Sequence, residues 1–205
     1  MNLAEELFAE LPAGGDGAHD LAHVRRVLAN AQRIAAEEGG DPEILTAAAV
    51  LHDCVSVEKN SPLRAKASRL SAARAGEWLL ARGWTKERVA RVAHAIAAHS
   101  FSAQITPETP EAKILQDADR LDAIGAIGIA RCFYTGGRMG SALYHPADPA
   151  ARGRPLDDAA YALDHFRAKL LTLQSGFQTA CGARLAAERT RLVSDFLAAF
   201  EAELA

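Results

Sequence analysis

A chain of 205 residues that is 49% apolar can fill one substantial core, and nothing in its composition asks for a second domain. Ala, Leu, Arg and Glu dominate while aromatic residues supply only 6%, so residue preferences favour helix nearly everywhere and the expected fold class is all-α, a single-domain helical bundle over 1–205. A formal net charge of −3 excludes the strong basic excess of a chain built for nucleic acid or an anionic membrane, while leaving room for a small anionic substrate held locally.

Helical period and punctuation predict a short first helix over 2–10, ended by Pro12 and Gly14-Gly15. This start, MNLAEELFAELP, is acidic and amphipathic and lacks the cationic start and apolar core of a signal peptide. The next helix begins near Asp20 and carries Val24, Val27, Leu28, Ala31 and Ile34 at helical spacing until Gly39-Gly40. Asp41-Pro42 reads as a cap with Pro at the first helical position, opening a helix that ends at His52-Asp53. Helices follow at about 66–82 and 85–99, then a turn around Pro107 and Pro110 and a helix from 111 to about 132. The Gly/Pro-rich stretch 136–155 is expected to be an excursion, and helices over about 157–174 and 177–204 complete the bundle. No segment approaches the ~20 apolar residues of a membrane span. The separated cysteines Cys54, Cys132 and Cys181 form neither a disulfide framework nor a CxxC pair, so the expected location is the cytoplasm.

Metal-capable side chains interrupt otherwise apolar helical faces at His23, His52-Asp53, His99 and Asp119. Burying such groups without partners costs several kcal/mol each, on the order set by polar transfer, so something must compensate them. Separate hydrogen bonds or arginine ion pairs would do for any one of them. In combination, two imidazoles and two carboxylates from three helices make a mixed site suited to a divalent first-row cation. Adjacent residues in mid-helix point about 100° apart, whereas a helix that unwinds after His52 can turn both members of the His52-Asp53 pair towards one ion.

The order His23, His52-Asp53, Asp119 resembles the HD superfamily of metal-dependent phosphohydrolases. More narrowly, HDLAHVRRV, LHDCVSVEKNSPLR, AAHSFSAQITPETPEAKILQDADRLDAIGAIGIAR and the following FYTGG are similar to small bacterial HD hydrolases, some of which are nucleotide pyrophosphohydrolases. The likeness covers roughly 19–145 and continues loosely through DHFRAKLL. It implies an all-helical HD domain whose metal site lies within about 19–122 and whose ion is held by His23, His52, Asp53 and Asp119. Manganese is the expected cation, with Mg, Fe, Co, Ni and Zn as alternatives that a histidine/carboxylate shell accepts. Such an ion would lower the pKa of its bound water and offset charge on a phosphoryl group.

The resemblance selects Asp119 among the aspartates of QDADRLDA. Asp122, one turn on, is then a supporting carboxylate or water-activating base, or else an ion-pair partner of a local arginine, while Asp117 points elsewhere on a regular helix. His19 and Asp20 suit a helix start better than a ligand pair. His94 and His99 are five residues apart, about 140° around one helix, and so are poorly placed to serve one centre. A mononuclear site is therefore expected, with His99 available for substrate contact or general acid/base work. After the metal pair, Lys59, Asn60, Ser61 and Arg64 supply donors for phosphate oxygens on a loop stiffened by Pro62, and Arg26 is a further candidate. Lys66 and Ser68 extend that patch, and Arg26 and Arg120 each either bind phosphate or orient a carboxylate. The stretch FYTGGRMGSALYHP lacks the Gly-Lys-Ser/Thr ending of a P-loop and is expected to be either a mobile flap over the site, with Tyr134 or Tyr144 available to stack on a base, or a plain connection between helices.

These readings predict a metal-dependent hydrolase of a phosphate ester or anhydride in a nucleotide. The narrower expectation is a nucleoside triphosphate pyrophosphohydrolase, with phosphomonoesterase or phosphodiesterase action as the alternative. A di-iron oxygenase would need two further ligands, and a binding module that has lost catalysis would not keep the full set. The expected partner is a small phosphate substrate, with neither nucleic acid nor membrane, for a monomer or homodimer.

Overall fold

The third helix explains the arrangement around it. In the computed structural model, which describes residues 2–11, 20–55, 57, 66–100 and 103–204, α3 (Pro42–Leu51) is buried on nearly every side. Asp41 caps it by accepting from the backbone N–H groups of Glu43 and Ile44, and Pro42 occupies the first turn, where a missing N–H costs nothing. A helix apolar all round has to lie inside, and Ala47, Ala48 and Ala49 let neighbours approach closely. Burying Ile44, Leu45, Val50 and Leu51 contributes roughly 1.5–3 kcal/mol apiece before chain entropy is set against it.

The chain forms two compact units, one of residues 1–119 with 178–182 and one of 120–177 with 183–205. In the first, α3 packs against α1 (Leu3–Phe8), α2 (Leu21–Glu38) and α5 (Lys86–His99), and α4 (Ala67–Ala81) packs on α5. Asp20 and Thr85 cap α2 and α5 with their side-chain oxygens, and Gly39, at φ 80°, ends α2 in a conformation other residues avoid. The chain passes to the second unit inside α6 (Pro110–Asp122).

The single helix expected over 111–132 is two helices, α6 and α7 (Gly125–Met139). Ile124 is extended and Gly125 has φ 72°, while a Cβ at Gly128 would lie 2.3 Å from the Ala123 carbonyl oxygen, so both glycines are needed for so sharp a break. Helix α7 then continues through Gly136 and Gly137, where an excursion was expected to have begun. The helix expected over 157–174 is short, α8 (Ala162–Ala168), and gives way at Lys169 to a 3₁₀ segment over Leu170–Gly176. The last helix, α9, spans Ala180–Ala202. Phe133, Phe166, Phe196 and Phe200 pack together in the second unit with Leu163, Leu170, Val193 and Leu197.

The glycine-rich stretch is anchored rather than poised as a flap. Ala142 and Tyr161 form an isolated parallel bridge, and Ser141 Oγ donates to the Ala159 carbonyl at 2.7 Å. Asp148 accepts from the N–H groups of Arg152 and Gly153, and Arg154 forks onto the buried Asp164. Tyr144 packs against Phe200, so its ring serves the core; Tyr134 is exposed, with the Arg138 guanidinium 5.7 Å from its centre. Among the described residues the structure is helical with no β-strand, as composition predicts, and no helix is long and apolar enough to cross a membrane.

Candidate metal centre

Helices α2, α3, α5 and α6 each bring a polar side chain to one place in the first unit. Asp20, capping α2, accepts from the N–H of His23 at 3.0 Å and so fixes the turn that carries this imidazole. The end of α3 delivers His52 and Asp53, the end of α5 delivers His99, and α6 delivers Asp119. The ligand atoms of His23, His52 and Asp119 lie within 4.8 Å of one another, as do those of His52, Asp53 and His99.

The tautomers follow from the backbone. His52 Nδ1 lies 2.8 Å from the Ala49 carbonyl and His99 Nδ1 lies 2.7 Å from the Ile96 carbonyl. A carbonyl only accepts, so each Nδ1 carries the hydrogen and each Nε2 presents a lone pair. Those lone pairs face the cluster: His52 Nε2 is 3.3 Å from His23 Nε2 and 3.7 Å from Asp53 Oδ2, and His99 Nε2 is 3.8 Å from Asp53 Oδ1. His23 Nε2 is 3.5 Å from Asp119 Oδ1. Each of these four contacts lies within the roughly 4.4 Å that metal–ligand bonds of about 2.0–2.2 Å allow between two co-ligands, and His52 belongs to both ligand groups.

Burial sorts the group into a floor and a rim. His23, His52 and His99 are buried, whereas the side chains of Asp119 and Asp53 are 30% and 35% exposed. Burial, the main cause, holds the His52 pKa below its ordinary value; Asp53 opposes that shift while His99 and His23 add to it. His52 is therefore a neutral imidazole, the form that binds metal. Cys54 follows directly in sequence, but burial pushes its thiol up to about 11, so it offers no thiolate.

Three buried polar residues, Ser68, Gln116 and Asn30, hold this frame; neither Gln116 nor Asn30 stands out in the sequence, which suggests a different role for Ser68. In the last turn of α5 the carbonyls of Ile96, Ala97 and Ala98 are each met by a side chain: His99 itself, Ser68 Oγ at 3.0 Å and Gln116 Nε2 at 2.8 Å. Asn30 Nδ2 donates to the Ala118 carbonyl at 3.2 Å, tying α2 to the turn that carries Asp119. Their sequence separations of 29, 18 and 88 residues hide these pairings from any local pattern.

The other candidate residues divide as follows. Ser68, expected to extend a phosphate patch, is buried in its bond to Ala97, while Lys66 is exposed. Asp117 accepts from the N–H groups of Gln178 and Thr179 and from the Thr179 hydroxyl, so it ties down the segment before α9. His94 accepts from the Glu108 N–H and joins neither ligand group. Arg26 lies one turn beyond His23 on α2 and is half-buried. In the second unit, Asp122 is buried and ion-paired to Arg131 at 2.7 Å, and Arg120 donates to the Gly176 carbonyl. Lys59, Asn60, Ser61, Pro62 and Arg64, with His19, lie outside the described residues.

Comparison with known proteins identifies the family. The HD domain family profile matches residues 20–124. A Bacillus subtilis protein, YpgQ, is 36% identical over 190 residues, covering 91% of this chain and 84% of its own length. Its crystal structure in complex with ADP matches with a TM-score of 0.77 at 33% identity, over 98% of this chain and 97% of that one. The crystal structure of an HD-superfamily hydrolase from Bacillus thuringiensis matches with a TM-score of 0.74 at 32% identity, over 98% and 95% of the two chains. The chain belongs to the HD superfamily of hydrolases.

Proposed function

We propose that this protein is a metal-dependent phosphohydrolase of nucleotides, and more narrowly that it cuts nucleoside triphosphates to release pyrophosphate. One observation supports the reading: from α2, the end of α3 and α6, His52 Nε2 comes 3.3 Å from His23 Nε2 and 3.7 Å from Asp53 Oδ2, and His23 Nε2 comes 3.5 Å from Asp119 Oδ1. These four residues would hold a single divalent cation, manganese in this proposal because a mixed imidazole and carboxylate shell suits a first-row ion. When bound, that cation supplies Lewis acidity, easing ionisation of water and offsetting charge on phosphoryl oxygens. The residues do the rest. Neutral His52 keeps its lone pair available around neutral pH, and the half-exposed carboxylates of Asp53 and Asp119 mark the side from which substrate enters. Lys59, Asn60, Ser61 and Arg64, following the metal pair in sequence, and Arg26 on α2 are proposed to hold non-bridging phosphate oxygens. The presence of ADP in the YpgQ crystal structure supports a nucleotide as the ligand class.

Incubating the protein with manganese and a panel of nucleoside mono-, di- and triphosphates, and following products by phosphorus NMR, tests the proposal. Monophosphate and pyrophosphate in equal amounts are expected from triphosphates. Orthophosphate from monophosphates would replace this reading with a phosphomonoesterase.

A further inference from the structure

The chain that carries Asp53 has left its helix. Helix α3 ends at Leu51, His52 forms the cap, and Asp53 follows in a turn closed by one backbone bond, from the Cys54 N–H to the Leu51 carbonyl at 3.2 Å. Such a turn has no helical ladder to hold it, yet a carboxylate that is to share a cation with His52 has to keep one orientation. The Asp53 side chain is 35% exposed, so burial alone does not supply that orientation. The two residues that follow do supply a hold, and both reach the same place on α4. Val55 donates its backbone N–H to Ser71 Oγ at 3.2 Å, and Cys54 Sγ lies 3.5 Å from the Ser71 carbonyl. A carbonyl only accepts, so the Cys54 thiol is the donor. Ser71 thus meets the turn with its side chain and its backbone at once.

Ser71 is fully buried, and Cys54 is buried beside it. The other buried residues on this stretch of α4, Ser68, Ala72 and Ala75, are small, which leaves room for the turn to lie close against the helix. Serine is a middling helix former, and a buried hydroxyl destabilises unless it is bonded, so the bond to Val55 accounts for a serine at a position where alanine would otherwise suit. We infer that Ser71 is a positioning residue for the candidate metal centre: through Val55 and Cys54 it fixes the turn that holds the Asp53 carboxylate 3.7 Å from His52 Nε2. The inference rests on the metal-site reading above. It also gives Cys54 a part as a hydrogen-bond donor rather than as a ligand.

Two measurements separate positioning from plain packing. In metal-free wild type the Val55 amide should exchange slowly with deuterated solvent, and in Ser71→Ala it should exchange markedly faster. Manganese, titrated by calorimetry, should bind Ser71→Ala about 10–100-fold more weakly than wild type, the usual effect of losing a group that orients a metal ligand. Cys132→Ala supplies the control: Cys132 is as buried as Cys54, at 9%, its Sγ makes the same 3.5 Å contact with a carbonyl, that of Ala162, and it belongs to neither ligand group. That variant should lower the unfolding temperature and leave manganese affinity unchanged. Cys54→Ala should lower both, and Cys54→Ser, which keeps a donor, should bind manganese more tightly than Cys54→Ala. A Val55 amide that exchanges freely in the wild type would overturn the inference without any variant having to fold. Ser71→Ala or Cys54→Ala with wild-type manganese affinity would overturn it whatever the unfolding temperature, and so would an equal loss of affinity in Cys132→Ala. Wild type that binds no manganese, with Val55 still protected, would instead remove the metal-site reading on which the inference stands.

Discussion

Replacing Gln116 by Leu tests how the frame around the candidate centre is held. The amide Nε2 donates to the Ala98 carbonyl at 2.8 Å in a buried setting, and leucine of similar size would leave that carbonyl facing an apolar group. An unmet buried acceptor costs about 1–3 kcal/mol. For a chain of this length each kcal/mol moves the unfolding temperature by roughly 2–4 °C, so Gln116→Leu should lower it by roughly 2–12 °C in a calorimetric scan of metal-free protein. Ser68→Ala removes the neighbouring bond to Ala97, which is less enclosed, and should cost about 0.5–1.5 kcal/mol. Because Gln116 also stands one turn before Asp119 on α6, Gln116→Leu should weaken manganese binding by about 10–100-fold, the usual effect of losing a group that orients a metal site. An unfolding temperature equal to that of the wild type would show that the Ala98 carbonyl does not need this donor, and the account of the α5 terminus would fail.

Other expectations follow from the same geometry. Gly128→Ala puts a methyl 2.3 Å from the Ala123 carbonyl oxygen and should destabilise by about 1–3 kcal/mol or more, whereas Gly137→Ala, in the same helix with nothing within 4 Å, should stabilise by up to about 1 kcal/mol in denaturant melts. The folded-state pKa of His52 lies below its unfolded value, so the unfolded chain takes up the proton first as pH falls. Metal-free protein should therefore lose stability as pH drops below the ordinary histidine range near 6.5, by at most about 1.4 kcal/mol per pH unit from this group; a His52→Asn variant with an equally steep decline would contradict that. The cysteines are all buried, and burial raises Cys54 and Cys132 to about 11, so native protein at pH 8 should resist a thiol reagent that labels all of them once it is unfolded.

How much of this could be read from the chain differs from element to element. Helices α2, α3 and α5 carry their boundaries in Asp20, Gly39, Asp41-Pro42 and Thr85, residues that act locally, and they lie where the sequence places them. The break between α6 and α7 turns on Gly125 and Gly128, which are visible in DAIGAIG but are outweighed by strong helix formers on both sides. Gly136 and Gly137 misled in the opposite direction. A pair of glycines reads as a loop, yet at Gly136 the missing side chain lets Ala162 come within 3.4 Å of where a Cβ would stand. At the candidate site, the residue types and the unwinding after His52 were legible because they interrupt apolar faces. The approach of His99 to Asp53 was not, since it depends on where α5 ends relative to α3. Angular spacing along α5 did correctly separate His94 from His99.

Metal content per chain addresses the central claim most directly. After equilibration with manganese and removal of excess, elemental analysis should find one ion per wild-type chain and essentially none in His52→Ala or Asp53→Ala, with the helical circular dichroism of both variants retained. Wild-type protein that retains no ion, or variants that retain as much as the wild type, would contradict the convergence of these side chains on a single cation.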